Sequence, residues 1–155
     1  MSWFKRIWSS TNKEDELLLQ KKSLEELEAK IFRQVDLIPG QNLKIYDVEL
    51  EGREGHIHTI EAGFESENKP KIVLVHGYGG SSVVFWRMIA KMREDYHVYA
   101  IDQYGTGLSH RPSYKKKDYE EAEELFCGAI EDWRIKQGIK DFYMLGHSFG
   151  GYTAV

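Results

Sequence analysis

The segment Gly146-His147-Ser148-Phe149-Gly150, followed by Gly151, has the residue types and spacing that present a serine as a nucleophile. It follows the apolar run Phe142-Tyr143-Met144-Leu145, so the pattern predicts a buried strand turning abruptly into a helix. Such a turn lifts the serine above the carboxyl edge of a sheet. Small residues such as Gly146 and Gly150 let strand and helix approach closely enough for a strained backbone at Ser148. The hydroxyl then sits at a helix amino terminus, whose partial positive charge favours developing negative charge. Glycines used only for packing a strand–helix turn are the plainer reading; the apolar strand before the motif and the helix start after it weigh against that.

A serine that attacks an ester creates an oxyanion, which needs fixed N–H donors. The residue after the nucleophile, Phe149, offers one. A second is expected from the loop following an earlier strand. The segment His76-Gly77-Tyr78-Gly79-Gly80 stands in that place, directly after the apolar Lys71–Val75 run, and makes Tyr78 the candidate. Gly77, Gly79 and Gly80 let the main chain turn and approach a substrate without side-chain obstruction.

A third glycine-rich stretch, Asp102 to Pro112, contains Gly105-x-Gly107 but has His110 where a dinucleotide fingerprint requires its last glycine. It also lacks the Lys-Ser/Thr pair of a phosphate loop. Asp102 is read as a loop anchor whose carboxylate binds backbone N–H groups, helped by Ser109 and Arg111. The order His58, Asp102, Ser148 imitates a His–Asp–Ser triad, but that order belongs to double β-barrels and not to the parallel sheet expected here. His76 and His147 are read as loop braces.

The elements that must position these groups follow from the pattern. Residues 43–50 and 55–63 read as a strand pair around a turn at Gly52. From Pro70 onward, strand–helix–strand–helix–strand–helix predicts a parallel sheet with right-handed crossovers, an α/β fold. Ser81 or Ser82 is available to cap the helix that follows the first of these strands. Tyr119, Ala122, Leu125, Phe126, Ile130 and Trp133 form the apolar face of the next helix, with the neighbouring charge runs solvated. Ahead of this domain (41–155) stands an appendage (1–40). In it, residues 14–35 predict a helix with Leu17, Leu24, Leu27 and Ile31 on one face, expected to pack on the domain. Ser23 and Glu26 resemble a capping box at which that helix could restart. Trp3 and Trp8, beside Lys5 and Arg6, suit either a bilayer boundary or a terminus folded over the domain.

Composition narrows the classes. The 155 residues are 41% hydrophobic and 30% charged, with a net charge of −4, which fits a folded domain and gives no basic surplus for nucleic acid. Cys127 is the single cysteine, so no internal disulfide can form, which fits a reducing compartment. No apolar run approaches the ~20 residues of a membrane span, and no secretory signal opens the chain. An intracellular setting is expected, with peripheral contact to a membrane or lipid droplet. His56 and His58 share a strand face but lack a third ligand nearby, so packing or solvated histidines are expected and no metal site. No organic cofactor is implied.

Together, HGYGG, AIDQYGTGLSHRP and GHSFGG resemble the α/β-hydrolase fold family. The helix AEELFCGAIEDWRIKQGIKDFYMLGHS is similar to a lipase branch of that family. The branch groups the lipid-droplet coactivator of adipose triglyceride lipase, N-acyl-phospholipid lipases and cardiolipin deacylases. The resemblance runs from about Leu43 to Val155. It implies an acyl-lipid serine hydrolase with Ser148 as nucleophile. A non-catalytic lipid-surface adaptor and a lysophosphatidic acid acyltransferase are the alternatives. In the coactivator asparagine holds the nucleophile position, whereas Ser148 is retained here. The family order places the acid and histidine after the serine, and the His-x4-Asp motif credited with acyltransfer also lies further on. The chain is therefore expected to be the front portion of such a hydrolase, inactive by itself.

Overall fold

A computed structural model describes residues 13–64, 66, 68–113 and 118–154. Trp3 and Trp8 lie outside the described residues. Five strands form one sheet in the order β1-β2-β4-β3-β5: Leu43–Glu49, His56–Ala62, His97–Ile101, Lys71–Val75 and Tyr143–Gly146. β1 pairs antiparallel with β2, and β2 antiparallel with β4, whereas β3 runs parallel to both β4 and β5. This is the α/β arrangement expected from the pattern, with an antiparallel opening and parallel continuation.

The continuous apolar runs are explained by burial on both faces. Val73, Val75, Tyr99 and Ile101 point to one side, where they meet Ala129, Ile130 and Trp133 of helix α4 (Ala129–Lys136). Ile72, Leu74, Val98 and Ala100 point to the other, against Phe85, Ile89 of helix α2 (Trp86–Met92) and Phe32 at the end of helix α1 (Lys13–Arg33). The indole N–H of fully buried Trp133 donates to Thr59 Oγ1 at 2.9 Å, so its one polar atom is satisfied inside the core.

Two helices depart from the simple pattern. A 3-10 turn, Ser82–Phe85, precedes α2, and neither Ser81 nor Ser82 makes a side-chain cap. Helix α3 (Tyr119–Glu123) passes through a π-helical turn, Glu124–Gly128, before continuing as α4. Asp118 caps α3 by accepting from Glu121 N at 2.8 Å.

Helix α1 is continuous through Ser23, without a restart, and its orientation corrects the expectation from the leucine pattern. Leu17, Leu24 and Leu27 are 56%, 48% and 50% exposed. The face turned to the sheet carries Lys21, Glu28 and Phe32. Lys21 Nζ donates to Asp47 Oδ2 at 2.5 Å, while His58 bridges Asp47 Oδ1 at 2.8 Å and Glu28 Oε2 at 3.0 Å. With a carboxylate on each ring nitrogen, His58 is an imidazolium at the centre of a buried clasp. Burial pushes its pKa down, but the bonds to Asp47 and Glu28 outweigh that and raise it to about 10. Burial likewise pushes Asp47 up, and the bonds from His58 and Lys21 override it to hold the carboxyl below its ordinary range. Charge pairing, and not the apolar stripe, decides which way the helix faces.

The clasp predicts a pH profile. Lys21, Glu28, Asp47, His56, His58 and Asp102 are the charged and titratable groups around it. His58 has a raised folded pKa, so its contribution is complete below about pH 6.5 and is lost as pH climbs toward 10. Asp47 has a lowered one, so its contribution is complete above about pH 4 and is lost as pH falls. Urea unfolding midpoints should therefore be highest between about pH 4 and 6.5, and His58→Gln should abolish the decline above that window. His58→Gln should also cost about 3–5 kcal/mol by stranding the buried Glu28 carboxylate. Leu24→Gln, on the exposed stripe, should stay within about 0.5 kcal/mol of wild type.

Candidate active site

Strand register fixes where the candidate residues emerge. Val75 is level with Ile101 on β4 and with Gly146 on β5. The loops after all three strands therefore leave the same carboxyl edge side by side, and these loops carry His76–Gly80, Asp102–Pro112 and His147–Ser148. His147 N donates to Val75 O at 2.9 Å, extending the β3–β5 pairing one residue into the turn.

Ser148 sits at φ 54° and ψ −118° and is exposed. A non-glycine residue with positive φ stores strain, of order 1–3 kcal/mol, and persists only where its surroundings dictate it. The dictating contacts are backbone on backbone. A Cβ on Gly146 would stand 2.1 Å from Gly150 O, and one on Gly150 would stand 2.1 Å from Val75 O. Helix α5 (Phe149–Tyr152) thus crosses the strand ends at a distance that excludes any side chain. Gly151 is not so constrained, since its Cβ would meet Gly146 O at an ordinary 3.4 Å.

The glycine-rich loop after β3 presses on this turn. A Cβ on Gly77 would lie 3.0 Å from Ser148 Cβ and 3.0 Å from His147 Nδ1. Gly79 takes φ 69°, and Gly80 N closes the turn on Gly77 O at 3.1 Å. Among the described residues neither the Tyr78 nor the Phe149 N–H donates to a protein acceptor, and Ser148 Oγ has no hydrogen-bond partner. The Tyr78 side chain is 92% exposed.

Behind the loop lies a polar brace. Buried His76 donates from Nδ1 to Gly77 O at 2.7 Å and accepts at Nε2 from Gln103 N at 3.1 Å, which defines a neutral ring. Gln103 Nε2 donates to His76 O at 2.6 Å, and Thr153 Oγ1, just after α5, donates to Gln103 Oε1 at 3.0 Å. The buried Asp102 carboxylate accepts from Ser82 N at 2.5 Å and Leu108 N at 2.7 Å. It therefore satisfies the amide that neither serine caps. Gly107 is forced, because a Cβ there would reach 1.9 Å from Asp102 Oδ2. Ser109 Oγ donates to Asp102 O at 2.6 Å, and Arg111 to Gly107 O at 2.8 Å.

The structure thus brings Gly77, Tyr78, His147, Ser148, Phe149 and Asp102 to one edge, while His58 belongs to the clasp on α1. No group of three or more His, Cys, Asp or Glu side chains arranged so as to hold a metal ion occurs among the described residues. Gln103 and Thr153 went unread in the sequence; nothing in a Gln after an Asp, or a Thr seven residues past a glycine, signals a shared bond.

This sheet order with a positive-φ serine on a glycine crossing defines a class, and the α/β-hydrolase fold family model matches residues 70–155. The chain belongs to the α/β-hydrolase fold family. Its relatives include a 1-acylglycerol-3-phosphate O-acyltransferase of Arabidopsis thaliana, 38% identical over 75% of this chain and 27% of that protein. Another is a (lyso)-N-acylphosphatidylethanolamine lipase of Mus musculus, 33% identical over 65% of this chain and 29% of that protein. Among solved structures, the Bacillus subtilis carboxylesterase CesB superposes with a TM-score of 0.67. It is 20% identical over 87% of this chain and 42% of that one, a likeness of fold alone. The chain spans under a third of the length of these curated relatives. No described helix is long and apolar enough to cross a membrane.

The crossing makes a sharp prediction. Gly150→Ala should destabilise by at least about 1–3 kcal/mol, because Val75 O is backbone and cannot step aside. Gly151→Ala should be tolerated. Thermal unfolding of the two variants checks the contrast, and equal tolerance would contradict the crossing geometry.

Proposed function

We propose that this protein is part of a serine hydrolase of acyl lipids, of the phospholipid, lysophospholipid or N-acyl-phospholipid lipase type. Ser148 Oγ attacks the acyl carbonyl, and the Tyr78 and Phe149 amides receive the oxyanion. The tetrahedral intermediate collapses with loss of the protonated alcohol or lyso-lipid, and water then releases the acid. The observation that carries this reading is Ser148 itself. It is held at φ 54°, exposed, and pressed by Gly77 of the loop that bears Tyr78. The backbone crossing imposes the positive φ, which a glycine would meet without strain, so a serine kept there points to a use for its hydroxyl.

Nucleophilic attack needs a base, and among the described residues none bonds Ser148 Oγ. The general base and its acid are proposed to come from sequence following Val155, in the family's order. Trp3 and Trp8 are proposed to contact a membrane or lipid-droplet surface. Two other readings have specific support. The name of the Arabidopsis relative favours acyl transfer to a lysophospholipid, and the free Ser148 hydroxyl is compatible with a non-catalytic lipid-surface adaptor.

A fluorophosphonate probe separates them on a chain extended to the relatives' length. Covalent labelling lost in Ser148→Ala is the expected result, with product acids released to water. Products carrying the acyl group on added lysophospholipid favour transfer, and absence of labelling favours the adaptor. The 155-residue chain alone should label at least about 100-fold more slowly, for want of the base.

A further inference from the structure

The helix between β4 and β5 changes register partway along. A π turn winds one residue more than the α-helical count into Glu124–Gly128, between α3 and α4. Such a turn opens the backbone ladder and leaves carbonyls short of the amides that α-geometry would bring them, so it persists where another group pairs with them. Here that group is Arg53, on the hairpin loop between β1 and β2. Its Nη1 donates to Glu124 O at 3.3 Å and to Leu125 O at 3.4 Å, and its Nη2 to Glu124 Oε1 at 2.9 Å. Its Nε donates to Asp132 Oδ2, in the first turn of α4, at 2.5 Å. One guanidinium therefore ties the π turn to the α-helix that follows it.

The fit is built from both sides. Gly128 makes the room: a Cβ there would stand 2.6 Å from Arg53 Nη2 and 2.5 Å from Glu124 Oε1. The hairpin that delivers Arg53 is itself held, with Leu50 N donating to Gly55 O at 2.9 Å and Tyr104 OH donating to Glu54 O at 2.5 Å. The guanidinium also lies 6.0 Å from the centre of the Tyr104 ring. Only the planar fork of an arginine reaches two backbone carbonyls and two carboxylates together; the single ammonium of a lysine does not.

We propose that Arg53 is a register lock and, through the π turn, a positioning residue for the serine site. With the guanidinium withdrawn, Glu124–Gly128 rewinds as α-helix, which turns α3 by about 100° around the helix axis and moves it about 1.5 Å along it relative to α4. The turn touches α5 at two points. The ring of Phe126 meets that of Phe149 edge to face, with centroids 5.1 Å apart, and Cys127 Sγ donates to Thr153 O at 3.7 Å. The glycine crossing sets how close α5 lies to the strands, whereas these two contacts steady it from the side, directly after Ser148. The positioning half of the inference rests on the reading of Ser148 as a nucleophile; the lock itself does not.

Scalar couplings across backbone hydrogen bonds, read by NMR on the isotope-labelled 155-residue chain, test the lock. In wild type, amides in and next to Glu124–Gly128 should couple to carbonyls five residues back, and in Arg53→Met to carbonyls four residues back. Should Arg53→Met fail to fold, Gly128→Ala makes the same test, because its methyl group crowds the guanidinium out. Gly128→Ala should raise the urea midpoint in an Arg53→Ala background, where it gains helix propensity alone, and should not raise it in wild type. On the extended chain, fluorophosphonate labelling of Ser148 should slow about tenfold in Arg53→Met. It should stay slow in the double variant Arg53→Ala, Gly128→Ala, although that pair regains stability; a merely structural role would let labelling recover with stability. Five-residue couplings kept in Arg53→Met, or an equal gain from Gly128→Ala in both backgrounds, overturns the lock. A changed register with unchanged labelling overturns the positioning role. No labelling in wild type removes the catalytic reading, and the couplings then decide the lock by themselves.

Discussion

The structure depends on one close approach: the backbone of α5 passes over the end of β3 with no side chain between them. Gly150 lies against Val75 O and Gly146 against Gly150 O, each at a distance where even a methyl group would overlap. Because β3 and β5 are in register at Val75 and Gly146, the chain has only His147 and Ser148 in which to reverse from strand to helix. A two-residue reversal of that kind leaves Ser148 on the positive-φ side and its side chain facing solvent. The strain at Ser148 is thus imposed by the sheet, and its energy is drawn from the buried strands on either side.

A strained turn holds its geometry only if neighbouring loops cannot relax with it. Here the bracing is polar and buried. His76, Gln103 and Thr153 link the ends of β3, β4 and α5 through bonds whose donors and acceptors are matched, and Asp102 fastens the β4 loop to Ser82. Networks of this sort strongly specify one arrangement, because each unpaired buried group would cost more than a bond returns. The exception among the described residues is Ser82 Oγ, buried without a protein partner. Ser82 serves the network through its amide, leaving the hydroxyl as a bystander.

The sequence made the central strands and the turn at Ser148 legible for a physical reason. A parallel strand buried on both faces has to be continuously apolar, and a crossing without Cβ atoms has to be glycine. Lys71–Val75 and Gly146–Gly151 satisfy both requirements, and few other structures would demand them together. The loop brace around Gln103 was hidden because its bonds join residues distant in sequence through commonplace polar side chains. Helix α1 misled for a different reason. Its leucines are periodic, but Phe32, Lys21 and Glu28 lie on the flank that meets the sheet, and a buried imidazolium between two carboxylates outweighs a solvent-facing stripe. The π-helical turn at Glu124–Gly128 has no sequence signal at all, since its residues suit an α-helix equally well.

These elements divide the work of a site unevenly. Orientation of the hydroxyl, and the two amides left without protein acceptors, arise from β3, β4, β5 and the loops between them. Proton transfer demands nothing of this scaffold beyond reach, since a base needs only to arrive within hydrogen-bond distance of Ser148 Oγ. The two requirements differ in kind. Preorganised amides must be fixed before reaction, in a rigid and strained backbone, whereas a side-chain base can be delivered by any loop that finds the exposed edge. On the proposed role of Ser148, a fold that concentrates strain, glycine and buried polar bonds around one exposed serine meets the harder of the two conditions.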